Sequence, residues 1–91
     1  MQYEPKPAFL KSLKKLHPET KQKVKEAIRD LVKLLETGQK SPGLGLKRLR
    51  KNYWEIRATI KDRIIFRLST DLVEFIIVGS HDEIKNFLKN I

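Results

Sequence analysis

The chain contains no cysteine, and this absence excludes both a disulfide framework and a thiolate zinc site. Its two histidines, His17 and His81, are too few for a histidine-rich metal site. No apolar run approaches the roughly 18 residues that span a bilayer, and Met1–Pro5 lacks the apolar core of a signal peptide. We therefore expect a single cytoplasmic domain over residues 1–91 that uses no metal or other cofactor.

Acidic residues are also scarce relative to basic ones. Lysine and arginine number 20 against 11 aspartates and glutamates, which gives a net charge of +9. Between Gln39 and Arg67 there are nine basic and two acidic side chains, and every arginine except Arg29 lies there. Such a segment indicates a polyanionic partner: a nucleic acid first, and an anionic membrane or an acidic protein next. Arginine also suits phosphate recognition better than lysine does. The alternative is a basic surface that serves only solubility.

The first part of the chain predicts a helical hairpin. Four apolar residues recur at helical spacing in the first helix: Phe9, Leu10, Leu13 and Leu16. Pro18 ends this helix and opens a second one, which we expect to run to Thr37 with Gly38 as its C-cap. The apolar stripe of the second helix comprises Val24, Ala27, Ile28, Leu31, Val32 and Leu35.

The remaining chain alternates between apolar and polar residues, as β-strands do. The apolar positions of the first hairpin are Trp54, Ile56, Ala58 and Ile60 on one strand and Ile64, Phe66 and Leu68 on the next. Leu72–Val78 predicts a central buried strand, and Leu44–Arg50 is a weaker candidate. A short terminal helix is expected over Asp82–Asn90, with Ile84, Phe87 and Leu88 inward. The fold class is therefore α+β: an N-terminal helical hairpin packed on a three- to four-stranded twisted antiparallel sheet.

If the apolar set faces the helices, Glu55, Arg57, Arg63 and Arg67 share the other face of the hairpin. A shift by one residue would bury arginine and expose phenylalanine, so the register is well specified. His81 follows the last strand and is placed to reach the same face.

This group of residues suits RNA cleavage by the RNA's own 2′-hydroxyl, which needs a base, cations for the phosphorane and an acid for the departing oxygen. Glu55 is the candidate base, Arg57 and Arg63 the phosphate ligands, and His81 the acid. No metal is required. Other basic residues are candidates for RNA phosphate contacts: Lys47, Arg48, Arg50, Lys51 and Arg67.

Simpler interpretations fit the same residues. Glu55 also suits a surface ion pair with Arg57 or Arg63, and His81 a turn that hydrogen-bonds its own backbone. The lysines and arginines after Leu46 also suit a solvated loop. The alternation makes Trp54 a core residue rather than a base-stacking platform, and Tyr53 is only a weak candidate for stacking.

Four segments together resemble the toxins of the RelE/ParE superfamily from type II toxin–antitoxin systems. They are Leu46–Arg50, Tyr53–Arg57, Asp62–Arg67 and Phe75–Glu83, and with the helical hairpin the resemblance covers nearly the whole chain. It implies two helices on a twisted antiparallel sheet with the active face on the concave side. It is closer to the RelE-like members, which inhibit translation by cutting mRNA in the ribosomal A site.

The resemblance also implies roles and partners. Arg63 matches the family's phosphate-holding arginine, and Arg57 matches a basic residue on the strand before it. Glu55 stands where some branches carry a glutamate base and others a lysine, and His81 stands where branches carry histidine or arginine. Phe87 stands nearest to a tyrosine that many of the nucleases keep, and a phenyl ring cannot donate a proton, which leaves the acid role to His81. The alternative is a ParE-like inhibitor of DNA gyrase without enzymatic activity. Either kind of toxin implies a cognate antitoxin with an acidic or amphipathic segment that binds it. Operator DNA is expected to be bound only through that antitoxin. The toxin itself is expected to make no contact with a membrane.

Overall fold

A computed structural model describes residues 1–91 and arranges them as one five-stranded sheet with three helices. In chain order the elements are β1 (Gln2–Pro5), α1 (Pro7–Lys14), α2 (Pro18–Thr37), β2 (Lys47–Arg48), β3 (Tyr53–Arg57), β4 (Asp62–Leu68), β5 (Leu72–Ser80) and α3 (His81–Leu88). The strand order across the sheet is β1-β5-β4-β3-β2. Strands β2 to β5 form the expected antiparallel meander, and the α+β fold class is confirmed.

The second helix has the predicted bounds, Pro18 and Thr37. Gly38 ends it in the left-handed conformation, with φ of 78°, and its amide donates to the carbonyl of Leu34. In α1 the expected inward face is only partly right, because Leu10 is 51% exposed whereas Phe9 is buried. Adjacent helical residues point about 100° apart, and here Phe9 faces the core whereas Leu10 points away from it. No helix of the protein is long and apolar enough to cross a membrane.

The main core lies between the helical hairpin and one face of the sheet. It contains the buried residues Phe9, Val24, Ala27, Leu31, Leu44, Ile56, Ile64, Phe66, Val73, Phe75 and Val78. Trp54 packs against this core, as its alternation predicted. Ile60 was expected inward but is 92% exposed. The strand ends at Arg57, and the amide of Ala58 donates to the carbonyl of Asp62, so Ile60 sits in the turn rather than on the strand.

Strand β1 was not predicted. Its four residues lack apolar alternation and include Pro5, yet they pair in parallel with β5 from Leu72 to Phe75. The Tyr3 hydroxyl donates to Glu36 of α2 at 2.7 Å and fixes the strand against the hairpin. This strand exists because a partner strand about 70 residues away supplies its hydrogen bonds.

A bulge in β5 changes which of its side chains face the core. Ile65 pairs with Ile77, but the next residue, Phe66, pairs with Phe75, so Ile76 is an extra residue in β5. The alternation therefore inverts at this point, and both Phe75 and Val78 reach the main core.

The third helix packs on the opposite face of the sheet, against β4 and β5. Its start is fixed by a capping box, in which the Ser80 hydroxyl accepts from the Glu83 amide and the Glu83 carboxylate accepts from the Ser80 amide. These hydrogen bonds hold the pKa of Glu83 below its ordinary value. Ile84 is buried, and the ring of Phe87 meets the Tyr53 ring at 6.4 Å. The face that the helical hairpin leaves free is therefore partly covered by α3.

The difference between Phe66 and Ile60 gives a test of the core. Phe66 is 1% exposed and contacts Phe75, with ring centroids 6.4 Å apart. We predict that Phe66→Ala lowers the free energy of unfolding by about 3–5 kcal/mol, because the cavity adds to the lost burial. Ile60→Ala should change it by no more than about 0.5 kcal/mol. Urea unfolding followed by circular dichroism measures both, and equal effects would contradict the placement of Ile60 in the turn.

Candidate functional site

The face of the sheet opposite α1 and α2, here called the outer face, collects the polar side chains of β3 and β4. Arg57 lies directly across from Arg63, and Glu55 lies two pairs further along, across from Ile65. Their neighbours Ile56 and Ile64 are fully buried on the core side. Because side chains alternate along a strand, burial of the two isoleucines turns Glu55, Arg57 and Arg63 to the outer face.

Glu55 and Arg63 form an ion pair. The Oε2 atom of Glu55 lies 3.8 Å from Nε of Arg63, and the two side chains are only 17% and 14% exposed. The surface-pair interpretation of Glu55 therefore describes a real contact. The carboxylate retains some exposure, so the pair leaves it within reach of a ligand on this face.

Arg63 also stabilises the turn between β3 and β4. Its Nη1 donates to the carbonyl of Thr59 at 3.0 Å, of Ile60 at 3.0 Å and of Asp62 at 3.3 Å. The turn is closed further by the Thr59 hydroxyl, which donates to the Asp62 carboxylate at 2.8 Å and accepts from its amide. The Nη2 group of Arg63 makes no hydrogen bond within the protein. The guanidinium is thus held through Nη1 and Nε, and Nη2 is left without a partner in the protein.

Arg57 has the opposite environment. The side chain is exposed and takes part in none of the protein's side-chain hydrogen bonds or ion pairs. It lies across from a second guanidinium, that of Arg63, and beside the backbone of Gly45. Like charges placed directly opposite each other across two strands are destabilising, so this pair costs the fold stability.

His81 is the first residue of α3 and is exposed. Gly79 pairs with Arg63 and Ser80 with Asp62, so His81 begins just beyond the end of that row. The structure brings Glu55 into contact with Arg63 but gives His81 no hydrogen bond or ion pair with either. No three histidine, aspartate or glutamate side chains come together as metal ligands.

The residues predicted to contact RNA phosphates are spread over different surroundings. Lys47 lies across from Glu55 on the outer face, whereas Arg48 lies across from Trp54 and donates to the Lys51 carbonyl. Lys51 is exposed, with φ of 54° in the turn before β3. Arg50 donates to the carbonyl of Leu88, the last residue of α3, and to that of Ile91 beyond the helix. Only Lys47 therefore adjoins Glu55.

Arg67 is neutralised within the fold by Glu74. Its Nε and Nη2 both donate to Oε1 of Glu74, at 2.8 and 2.6 Å, and Nζ of Lys6 lies 3.4 Å from Oε2. The Arg67 guanidinium also lies 5.9 Å from the centre of the Tyr53 ring. Tyr53, the weak candidate for base stacking, therefore already has a cation over its ring. This network was not predicted from the sequence. The sequence feature that indicates such a network is Glu74, a single acidic residue inside the apolar run of β5. A carboxylate at a buried strand position needs a cationic partner.

The fold of this chain has counterparts in solved toxin structures. RelE of the RelB–RelE antitoxin–toxin complex from Methanococcus jannaschii has 20% sequence identity and a TM-score of 0.71, covering 92% of this chain and 96% of that one. YafQ from E. coli has 20% identity and a TM-score of 0.68, covering 90% and 94%. A YoeB/ParE toxin from Agrobacterium tumefaciens has 19% identity and a TM-score of 0.68, covering 89% and 99%. These similarities establish a RelE-like fold.

The sequence profile of the family described as the ParE toxin of the type II toxin–antitoxin system parDE matches residues 3–85. Since this is nearly the whole chain, the protein belongs to that family and is a type II toxin of the RelE/ParE superfamily. The resemblance to the RelE/ParE superfamily seen in the sequence is thereby confirmed. No curated protein sequence matches it significantly.

The Glu74 network gives a prediction for the dependence of stability on pH. The hydrogen bond from Arg67 holds the pKa of Glu74 below its ordinary value of 4.5, against the opposing effect of burial. A carboxyl whose pKa is lower in the folded state stabilises the fold above its ordinary pKa, and that stabilisation is lost as pH falls through the folded value. We expect Glu74→Gln to lower the melting temperature near neutral pH and to reduce the further loss on acidification.

Glu19 supplies the control, because it is exposed and forms no ion pair. Glu19→Gln removes the same charge and should leave the pH dependence close to that of the wild type. Thermal unfolding of the three proteins between neutral and acid pH measures the effect. Parallel curves for Glu74→Gln and the wild type would contradict the role given to Arg67.

Proposed function

We propose that this toxin is an endoribonuclease that cleaves mRNA in the ribosomal A site without a metal ion and so inhibits translation. The observation that carries the proposal is the cross-strand pair of Arg57 and Arg63, next to the carboxylate of Glu55. A fold that keeps two arginines opposite each other in the strand register, one of them without a partner, is suited to a ligand with concentrated negative charge. A phosphodiester has that charge.

The proposed reaction uses the 2′-hydroxyl of the RNA as nucleophile. Glu55 accepts the hydroxyl proton while the 2′-oxygen attacks the adjacent phosphorus. Arg57 and the Nη2 group of Arg63 donate hydrogen bonds to the phosphorane oxygens. The bond from phosphorus to the 5′-oxygen breaks, and His81 in its protonated form gives that oxygen a proton. The products are a 2′,3′-cyclic phosphate and a 5′-hydroxyl.

The side from which RNA can reach Glu55 is set by the part of the outer face that α3 covers. The side chain of Glu55 is only partly exposed, and α3 covers β4 and β5 on this face. The open part is the β2–β3 side, where Lys47 lies across from Glu55 and Arg57 is exposed. We infer that Lys47 contacts the backbone of the bound strand, whereas Arg67 contributes little because Glu74 neutralises it.

A second candidate function is inhibition of DNA gyrase by binding alone. It is favoured by the match to the ParE toxin family and by the ion pair between Glu55 and Arg63, which stabilises the hairpin without any chemistry. Phe87 packs edge-on to Tyr53, so the terminal helix offers an apolar ring where a nuclease of this superfamily commonly carries tyrosine.

Either function requires a means of control in the cell. We propose that a cognate antitoxin binds this chain, as RelB does in the complex with RelE from Methanococcus jannaschii. With a net charge of +9, this toxin favours an acidic or amphipathic segment that folds as it docks. The antitoxin would supply the contact with operator DNA.

The Glu55→Gln variant tests the nuclease. It keeps the shape of the side chain but removes the base, so cleavage of an mRNA during cell-free translation should fall at least about 100-fold. Primer extension locates the cuts, which should lie within codons and require ribosomes. Glu19→Gln is the control, since it makes the same charge change at an exposed site outside the outer face, and it should cleave like the wild type.

The competing outcomes are distinct. Growth arrest by both Glu55→Gln and the wild type, with intact mRNA and inhibited supercoiling by gyrase, would replace the nuclease with the gyrase inhibitor. Failure of the wild type to arrest growth would reject both functions.

A further inference from the structure

Two glycines with left-handed backbone flank a buried leucine in the loop before β2. Gly43 has φ of 79° and Gly45 has φ of 65°, and Leu44 between them is only 5% exposed. The carbonyl of Leu44 accepts from the amide of Arg57 at 2.8 Å. Leu44 therefore anchors this loop in the core, and the loop backbone runs beside the end of β3.

The two glycines differ in what surrounds them. A Cβ atom added at Gly43 would have no heavy atom within 4 Å. One added at Gly45 would lie 3.2 Å from Cβ of Arg57 and 3.6 Å from its Nε. Backbone conformation explains a glycine at both positions, but only Gly45 also has a side chain directly against it.

This contact matters because little else restrains Arg57. Its side chain has no hydrogen bond or ion pair within the protein, and the residue across from it in the strand register, Arg63, carries the same charge. A long side chain without partners samples many rotamers. The backbone of Gly45 limits those rotamers on one side, and a methyl group there would force the side chain to move by a few tenths of an ångström.

We propose that Gly45 is a positioning residue for Arg57. Its bare backbone lets the stem of Arg57 lie flat against the loop, which holds the side chain on the outer face at the end of β3. The role in cleavage rests on the proposed nuclease function, in which Arg57 contacts the scissile phosphate. The positioning itself does not depend on that function.

The experiment compares Gly45→Ala with Gly43→Ala. Both place alanine in the left-handed region, so both should lower the melting temperature by similar amounts. Only Gly45→Ala adds an atom against Arg57. In single-turnover cleavage of mRNA bound to ribosomes, we expect Gly45→Ala to lower the rate of the bound complex about tenfold or more, and Gly43→Ala to stay within about twofold of wild type.

A second measurement follows Arg57 without any reaction. The side-chain Nε–H resonance of Arg57 in ¹⁵N-labelled protein is assigned by its loss in Arg57→Lys. We expect this resonance to shift or broaden in Gly45→Ala and to remain at the wild-type position in Gly43→Ala. A change of overall stability alone would affect the two variants alike.

The two measurements separate the possible failures. Equal resonances in Gly45→Ala and Gly43→Ala would overturn the positioning proposal, whatever the cleavage rates. A shifted resonance with equal cleavage rates would overturn its role in cleavage. If wild-type protein cleaves no mRNA, the nuclease proposal fails, and the resonance comparison still decides whether Gly45 positions Arg57.

Discussion

The pairing register between β3 and β4 is the constraint on which the rest of this structure depends. Ile56 lies across from Ile64, and Trp54 lies across from Phe66, and all four pack in or against the core under the helical hairpin. Since side chains alternate strictly, this register fixes the opposite face at the same time. A slip by one residue would bury guanidinium groups and expose the largest core side chain. The same register therefore determines both the stability of the core and the composition of the outer face.

The outer face is basic, but its charges are not equivalent. Arg67 is neutralised by Glu74, and Arg63 is shared between Glu55 and the carbonyls of the turn. Arg57 alone combines exposure, lack of a partner and a like charge across the strand pair. A polyanion can therefore use the excess positive charge chiefly at cations, such as Arg57, that have no acidic partner in the fold. This contrast is more informative about a phosphate site than the net charge.

Much of the fold could be predicted from local patterns, and the exceptions have physical causes. The bounds of α2 followed from Pro18 and Gly38, whose backbone preferences act locally. Strand β1 escaped prediction because a distant partner strand stabilises it rather than its own residues. The exposure of Ile60 was missed because alternation continues in the sequence beyond the point where the strand turns. The capping box at Ser80, by contrast, carried a readable signal in the glutamate three residues later.

The sequence by itself determined the helical hairpin, the alternation of the central strands and membership of a toxin superfamily. It also placed Glu55, Arg57 and Arg63 on one face, because the period of a strand is a local property. Only the tertiary structure decided which charges are compensated, that α3 covers part of the outer face, and that Gly45 lies against Arg57. The physical reason is that a strand's period acts between neighbouring residues, whereas ion pairs and close contacts depend on segments that are far apart along the chain.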